Sequence, residues 1–285
     1  MILYHIISED LIMLPTIEIG GVTLSRLMIG GNPFSGNSHY STELNEEMLN
    51  YFTMENLKRT LHRCEQLGMR SFVVRGDAQM YAMVREYRSE GGKMNWLAQH
   101  APEIGNYEAG IYKIKQAGAS LVYHQGTVTD ALFKEKKYDQ IKENLKIIRD
   151  AGFPAVGLGT HMPEVLDFAD SEGWDVDFYL LSIYNLSRID RVSSYASTSI
   201  NIDEPFLEKD RAIAFKAIQK TAKPCIAFKI LGAGRRCYTQ EDVRAAFEET
   251  YASIKPIDSV IVGMFPKYLD EPLININMVN EILKS

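Results

Sequence analysis

PAVGLGTHMPEVLDFAD, residues 154–170, reads as one strand, one turn and one helix. A short apolar run, Ala155 to Gly159, gives way to the polar pair Thr160-His161. Pro163 then stands in a helix's first turn, where its missing N–H costs nothing. The same grammar recurs along the chain. Apolar runs begin near Leu27, Phe72, Trp96, Leu121, Val156, Phe178, Ile226 and Val260, each followed by an amphipathic stretch. Eight strand-then-helix units in about 260 residues predict a closed (β/α)8 TIM barrel, whose chemistry sits at the carboxyl ends of the strands. Asn32, Arg75, Asp77, Gln99, His100, His124, His161, Asn185 and Lys229 all fall there.

Around this repeat the remaining segments take their places. TIEIGGVTLS, Thr16 to Ser25, alternates about Gly20-Gly21 and predicts a tight hairpin that closes the barrel bottom. One helix is expected from about Asn45 to Leu67, ended by Gly68. In DQIKENLKIIRDAG, Ile141, Leu145 and Ile148 form a one-sided stripe. Leu186 to Pro205, rich in Ser, Asn and Asp, is long enough to act as a lid over an active site. No linker interrupts the pattern, so the expectation is a single domain: an extension over 1–12, the hairpin over 16–25 and the barrel over 26–285.

Composition narrows the function classes. The chain has 285 residues, 46% hydrophobic and 24% charged, with a net charge of −6. No basic face dominates, which argues against nucleic acid or an anionic membrane as partner and for a small-molecule substrate. Three cysteines without metal-type spacing suggest a reducing compartment, with Cys64 and Cys225 as packing residues. MILYHIISEDLI lacks the basic start and cleavage site of a signal peptide, and is expected to be an extension upstream of a start at Met13. A cytoplasmic location is expected.

Alternation along the strands selects inward residues. With Phe72 and Val74 outside, Ser71, Val73, Arg75 and Asp77 point in. Gly157, Gly159 and His161 share an inner face. In the seventh strand Ile226, Phe228 and Ile230 are expected outside, with Cys225, Ala227 and Lys229 inside. A charge inside a barrel needs a partner or a ligand, which singles out Arg75, Asp77 and Lys229.

The chain resembles the aldo-keto reductases over nearly its whole length. The opening hairpin with LSRLMIGG, the stretch LGMRSFVVRGDAQMY, LVYHQ, LLSIYNL, AFKILGAGR and IVGMFPKYLDEPLIN are similar to successive segments of that family. The resemblance implies a dinucleotide, NADP, held near Gly232, Gly234, Arg235 and Lys267. It matches His124 to the family's histidine, Tyr184 to the aromatic that stacks on nicotinamide, and Tyr81 to the proton donor. The family's aspartate position holds Gly76, with Asp77 one step out of register. Gln99 and His100 stand where its lysine belongs. The chain is also similar to a branch of barrels carrying GGNPFSG, an Arg-x-Asp, a fourth-strand His and Gly-x-His-x-Pro-Glu.

Three functions follow as expectations. The first is an enzyme acting on a small polar, carbohydrate-like metabolite by acid–base chemistry, as isomerase, lyase or hydrolase. Asp77, His124, His161, Arg75 and Lys229 would be catalytic, and Asn32, His39, Gln99, His100, Tyr184 and Asn185 would bind substrate. His124 and His161, with Asp77, His100 or Glu103, would hold a divalent metal, or else serve as hydrogen-bonding groups in a polar pocket. Arg75 and Asp77 are either an ion pair bracing the rim or a base and an anion grip. Lys229 either satisfies Asp77, stabilises charge, or forms a Schiff base. Gly232-Ala233-Gly234-Arg235 would cradle an anion on backbone N–H groups. The second function is a nicotinamide-dependent reductase with an altered tetrad. The third is a catalytically silent barrel that binds a metabolite.

Overall fold

The computed structural model describes residues 14–188 and 204–284. The expected N-terminal extension and nearly all of the expected lid lie outside them. The hairpin forms as its sequence requires: β1 (Thr16–Ile19) pairs antiparallel with β2 (Val22–Ser25), Ile17 opposite Leu24. Gly20 and Gly21 both take positive φ, 58° and 75°, as a two-residue turn matched to strand twist demands.

Eight parallel strands follow and close on themselves: β3 (Leu27–Gly30), β4 (Ser71–Arg75), β5 (Asn95–Gln99), β6 (Leu121–His124), β7 (Val156–Thr160), β8 (Phe178–Ser182), β9 (Cys225–Phe228) and β10 (Ser259–Gly263). The last seam joins β10 to β3, with Val260 beside Leu27. Each start lies within a residue of the position where the apolar run begins. The outer layer comprises α1 (Thr42–Tyr51), α2 (Met54–Gln66), α3 (Ala78–Ser89), α4 (Tyr107–Gln116), α5 (Gly126–Lys134), α6 (Tyr138–Asp150), α7 (Pro163–Ser171), α8 (Lys209–Lys220), α9 (Gln240–Ser253) and α10 (Glu271–Lys284). No helix among the described residues is long and apolar enough to cross a membrane.

Packing divides into two cores. Inside the barrel, Met28, Val73, Leu97, Leu121, Tyr123, Phe178, Leu180 and Ile226 stack on Ile17, Ile19 and Leu24 of the hairpin, which therefore plugs the bottom. Gly157 makes room for this layer: a Cβ there would lie 2.5 Å from the Phe178 ring and 2.6 Å from Tyr123 Cβ. The larger core lies between strands and helices, around Phe72, Val74, Trp96, Val156, Leu158 and Tyr179.

Two local expectations are corrected, and one segment that carried none is filled. The single helix over 45–67 is two, because Phe52 turns inward and Thr53 caps α2, its Oγ1 accepting from Asn56 N at 3.3 Å. α5 forms in the stretch between β6 and α6; Gln125 caps it, with Oε1 accepting from Val128 N at 2.9 Å. In β9 the faces are reversed: Ile226 and Phe228 point into the barrel, Cys225 and Ala227 toward the helices. A barrel strand is buried on both sides, so its apolar run carries no alternation from which to read its facing.

Candidate functional site

At the carboxyl ends of the strands, a buried charge cluster is assembled from loops far apart in sequence. The loop after β3 is held rather than loose. Ser38 donates from both N and Oγ to Asn45 Oδ1, at 2.8 and 2.6 Å, and Ser41 caps α1. This tether turns His39 inward, where 8% of it is exposed. His39 Nδ1 lies 2.8 Å from Glu204 Oε2. Its Nε2 faces Lys229 Nζ at 3.1 Å and Asn32 Nδ2 at 3.2 Å.

Protonation states follow from these contacts. Burial raises the Glu204 carboxyl, but the hydrogen bond from His39 and the Lys229 charge outweigh it and hold the group at about 2. An ionised Glu204 only accepts, so His39 carries its proton on Nδ1 and leaves Nε2 as acceptor for the ammonium and the amide. Burial first, and the Lys229 charge second, hold the imidazole at about 4, against an ordinary 6.5. Near neutral pH the cluster is therefore Glu204 carboxylate, neutral His39 and a cation at Lys229.

Lys229 arrives by an unusual route. Its neighbours by parity, Cys225 and Ala227, point outward, so regular alternation would send it among the helices. Instead it adopts φ +61° and returns to the barrel mouth. His39 (φ +56°) and Ala233 (φ +51°) share this left-handed geometry, which costs a residue with a Cβ about 1–2 kcal/mol. Three of the four such non-glycine residues among those described stand at this rim. Strain concentrated in one place is a mark of functional sites.

Other side chains complete the rim. His161 Nδ1 lies 2.7 Å from Asp130 Oδ2, and Asp130 also accepts from the His161 backbone N–H and the Thr160 hydroxyl. The His161 ring meets Phe228 edge-on at 5.3 Å. Arg235 donates to the His39 carbonyl at 3.1 Å and lies 4.2 Å from the Phe206 ring centre, against which Lys229 also rests at 5.6 Å. Gly232 (φ +57°), Ala233 and Gly234 (φ +91°) form the turn that carries Arg235. On the floor, Gln99 Oε1 accepts from the Tyr123 hydroxyl at 2.8 Å.

Across the barrel, Arg75 is an ion-pair brace. Its Nε lies 2.6 Å from Asp77 Oδ2, and Glu103 engages the other end of the guanidinium. Asp77 meanwhile caps α3, accepting from Met80 N at 3.0 Å. Neither oxygen of Asp77 is thus available as a base without breaking a structural bond.

Several expected site residues stand elsewhere. Leu121 and Tyr123 face the interior, so His124 faces out, fully buried between β6 and its helices. Thr129 Oγ1 takes its Nδ1 at 2.7 Å and Asn144 Nδ2 its Nε2 at 3.0 Å. His100 packs on the Tyr107 ring at 4.5 Å, also behind the strands. Tyr184 is 1% exposed, its hydroxyl held by Glu208 at 2.9 Å and Arg211 at 3.2 Å; no face is open for a nicotinamide to stack on. Asn185 Oδ1 accepts from Ser187 N at 3.3 Å. Lys267 pairs with Glu47 of α1 at 2.6 Å. Tyr81 is half-buried against Trp96, and burial followed by Asp77 raises its hydroxyl. His124, His161 and Asp77 do not meet, and among the described residues no three His, Cys, Asp or Glu are grouped as a metal site requires. Sequence reasoning missed Glu204, Asp130 and Phe206. Each lies in a segment without a motif and acquires its role only when the barrel closes.

No protein-family model matches the chain, and no curated protein matches it. Solved structures share its architecture. The apo form of Gox0644 superposes with a TM-score of 0.55 at 10% identity, covering 94% of this chain and 93% of that one. Dihydropteroate synthase from Xanthomonas albilineans, in complex with 7,8-dihydropteroate, gives 0.54 at 11% identity, covering 95% and 98%. 3-Dehydroquinate dehydratase from Geobacillus kaustophilus HTA426 gives 0.53 at 12%, covering 96% and 98%. At such identities the likeness establishes the barrel and nothing of its chemistry.

Proposed function

We propose that this barrel is an enzyme that moves protons on a small, polar, carbohydrate-like carbonyl compound, as an isomerase or lyase. The observation that carries the reading is the buried relay Glu204–His39–Lys229: a neutral imidazole oriented by a carboxylate, with its free nitrogen against a cation. A carboxylate on Nδ1 fixes the tautomer and stabilises the imidazolium formed when Nε2 takes a proton. Lys229 and the Asn32 amide face the same point and supply positive charge and a donor to the oxygen on which negative charge develops. Lys229 Nζ stands 3.1 Å from Nε2, so a substrate oxygen that draws the ammonium onto itself leaves that nitrogen open to take a proton. His161, oriented by Asp130, stands as a second proton carrier, and Arg235 as the grip for an anionic substituent. Tyr40, 44% exposed beside Gly234, offers a ring face to a sugar-like ligand.

The test is exchange of carbon-bound protons. The protein is incubated with glycolaldehyde, dihydroxyacetone and their phosphates in D2O, and loss of the signal beside the carbonyl is followed by NMR. Wild type is expected to accelerate exchange, with His39→Ala slower by about 10²–10⁴-fold and Glu204→Gln intermediate. Undiminished exchange in His39→Ala rejects the assignment, and absence of exchange in wild type rejects the substrate class.

A further inference from the structure

Resting on that acid–base reading, we propose that His39 and His161 work on opposite faces of one carbon and so invert a stereocentre. His39 takes the hydrogen beside the carbonyl, and His161 returns one to the other face. The substrate is then a chiral α-hydroxy aldehyde or ketone and the product its epimer. The first observation is that the two imidazoles are built alike. His39 Nδ1 lies 2.8 Å from Glu204, with side chains 10% and 3% exposed; His161 Nδ1 lies 2.7 Å from Asp130, with 11% and 0%. Each carboxylate occupies Nδ1 and leaves Nε2 as the working nitrogen. A transfer between neighbouring carbons on one face needs one such group, whereas two equal ones suit a carbon approached from both sides.

Placement is the second. His39 follows β3 and His161 follows β7, which stand opposite in the ring, four strands apart by either route. Yet both reach one place. Phe228, the last residue of β9, meets the His161 ring at 5.3 Å, and Lys229, the next residue, meets His39 at 3.1 Å. The charge of His161 is accordingly felt at His39 and at Glu204.

The third is how His161 is held. Asp130 comes from α5, whose Gly126 packs on the end of β7: a Cβ there would lie 3.3 Å from Thr160 N and 3.4 Å from His161 Cε1. Asp130 accepts from the Thr160 hydroxyl, the His161 backbone N–H and Nδ1, which fixes the ring. Among the described residues nothing bonds to its Nε2, and that nitrogen is not sealed in the interior. A histidine kept only as a brace has both nitrogens engaged, as His124 does.

The step balances within the pair. His39 Nε2 takes the C–H proton, the bonding pair becomes the C=C bond of an enediolate, and the C=O π pair moves onto oxygen. His161, entering with protons on both nitrogens, gives the one on Nε2 to the other face of the same carbon. The pair on oxygen re-forms C=O, the C=C pair becomes the new C–H bond, and nothing is oxidised or reduced. His39 then releases a proton to solvent and His161 takes one, which restores the start.

Stereochemistry in D2O reads this directly. Full-length protein is incubated with D-glyceraldehyde, and separately with L-glyceraldehyde, beside a protein-free control. Chiral chromatography and NMR follow inversion and loss of the hydrogen beside the carbonyl. Wild type is expected to form the opposite enantiomer, deuterated at that carbon, ahead of any dihydroxyacetone. In His161→Gln, inversion is expected to fall at least about tenfold further than hydrogen loss from one of the two enantiomers, because His39 still removes that hydrogen and returns deuterium to the same face. A smaller folded fraction lowers both rates alike, so their ratio is the readout; an unchanged ratio overturns the proposal. Wild type alone decides the outcome at carbon, so a variant that folds poorly does not remove the test. Hydrogen loss by wild type without inversion, or inversion only by way of dihydroxyacetone, overturns the proposal and leaves the acid–base reading standing. No hydrogen loss from either enantiomer overturns both.

Discussion

Single residues decide this rim, and several of them do so from behind. Asp130 is fully buried and accepts from three groups, the Thr160 hydroxyl and both nitrogens that His161 presents to it. Asp130→Ala strands these donors in a fully buried site, and breaking a buried pair from one side costs about 3–5 kcal/mol. Asp130→Asn keeps one acceptor oxygen and is expected to lose less than half of that, as measured by urea unfolding; equal losses would mean that packing, not hydrogen bonding, sets the cost. Arg211 acts similarly beneath Lys229. It is 2% exposed, donates to the Ile230 carbonyl at 3.0 Å and forks onto Glu249 at 3.1 and 2.6 Å. Arg211→Lys cannot reproduce the fork. It is expected to lower stability by about 1–3 kcal/mol, read as a fall in the urea midpoint. His39, Asn32, Lys229, His161 and Arg235 were legible in the sequence because polar groups past strand ends have few other places to go. His124 misled because LVYH gives no alternation to read, and one step of parity separates the mouth from the helix layer. Glu204 and Asp130 were invisible because their partners are 165 and 31 residues away.

Elements were read more securely than residues, since a strand or helix averages over several side chains. All eight barrel strands and the hairpin were legible from apolar runs and turn glycines. The failure came where Thr53 interrupts a helix, and the short polar opening GTVTD begins a helix that carried no apolar stripe to announce it. The hairpin provides a controlled comparison. Gly20 and Gly21 both have positive φ, but a Cβ on Gly20 would lie 2.7 Å from the Pro154 carbonyl oxygen, whereas nothing lies within 4 Å of one on Gly21. Gly21→Ala is therefore expected to cost only the left-handed penalty, about 1–2 kcal/mol. Gly20→Ala must also push the turn off the loop before β7, and is expected to cost at least 1 kcal/mol more. Equal losses in urea unfolding would show that the hairpin does not seat on the barrel bottom. At the opposite end, Ala233→Gly removes strain at φ +51°. The gain is offset by the freedom glycine adds to the unfolded chain, leaving an expected stabilisation of about 0.5–1 kcal/mol.

For the whole molecule, the barrel's way of burying imidazoles sets its response to acid. His39 at the rim and His100 and His124 behind the strands are held at about 4, 4 and 3, in each case chiefly by burial. All three lie below the ordinary value near 6.5, so on acidification the unfolded chain takes up protons before the folded one. Their stabilising effect is complete above about pH 6.5 and is lost as pH falls toward 4, each group contributing at most about 1.4 kcal/mol per pH unit. Glu204, held at about 2, enters only below about 4.5 and does not confuse this window. Urea midpoints are therefore expected to be flat from pH 8 to 7 and to fall steeply between 6.5 and 4.5. His124→Gln tests the cause. It is less stable at pH 7.5, because Thr129 and Asn144 lose a well-fitted partner, yet its midpoint should fall more gently with acid, having one buried imidazole fewer. A variant line parallel to wild type through that window would place the acid sensitivity in the carboxylates instead, and the neutral, buried imidazole at His124 would no longer account for it.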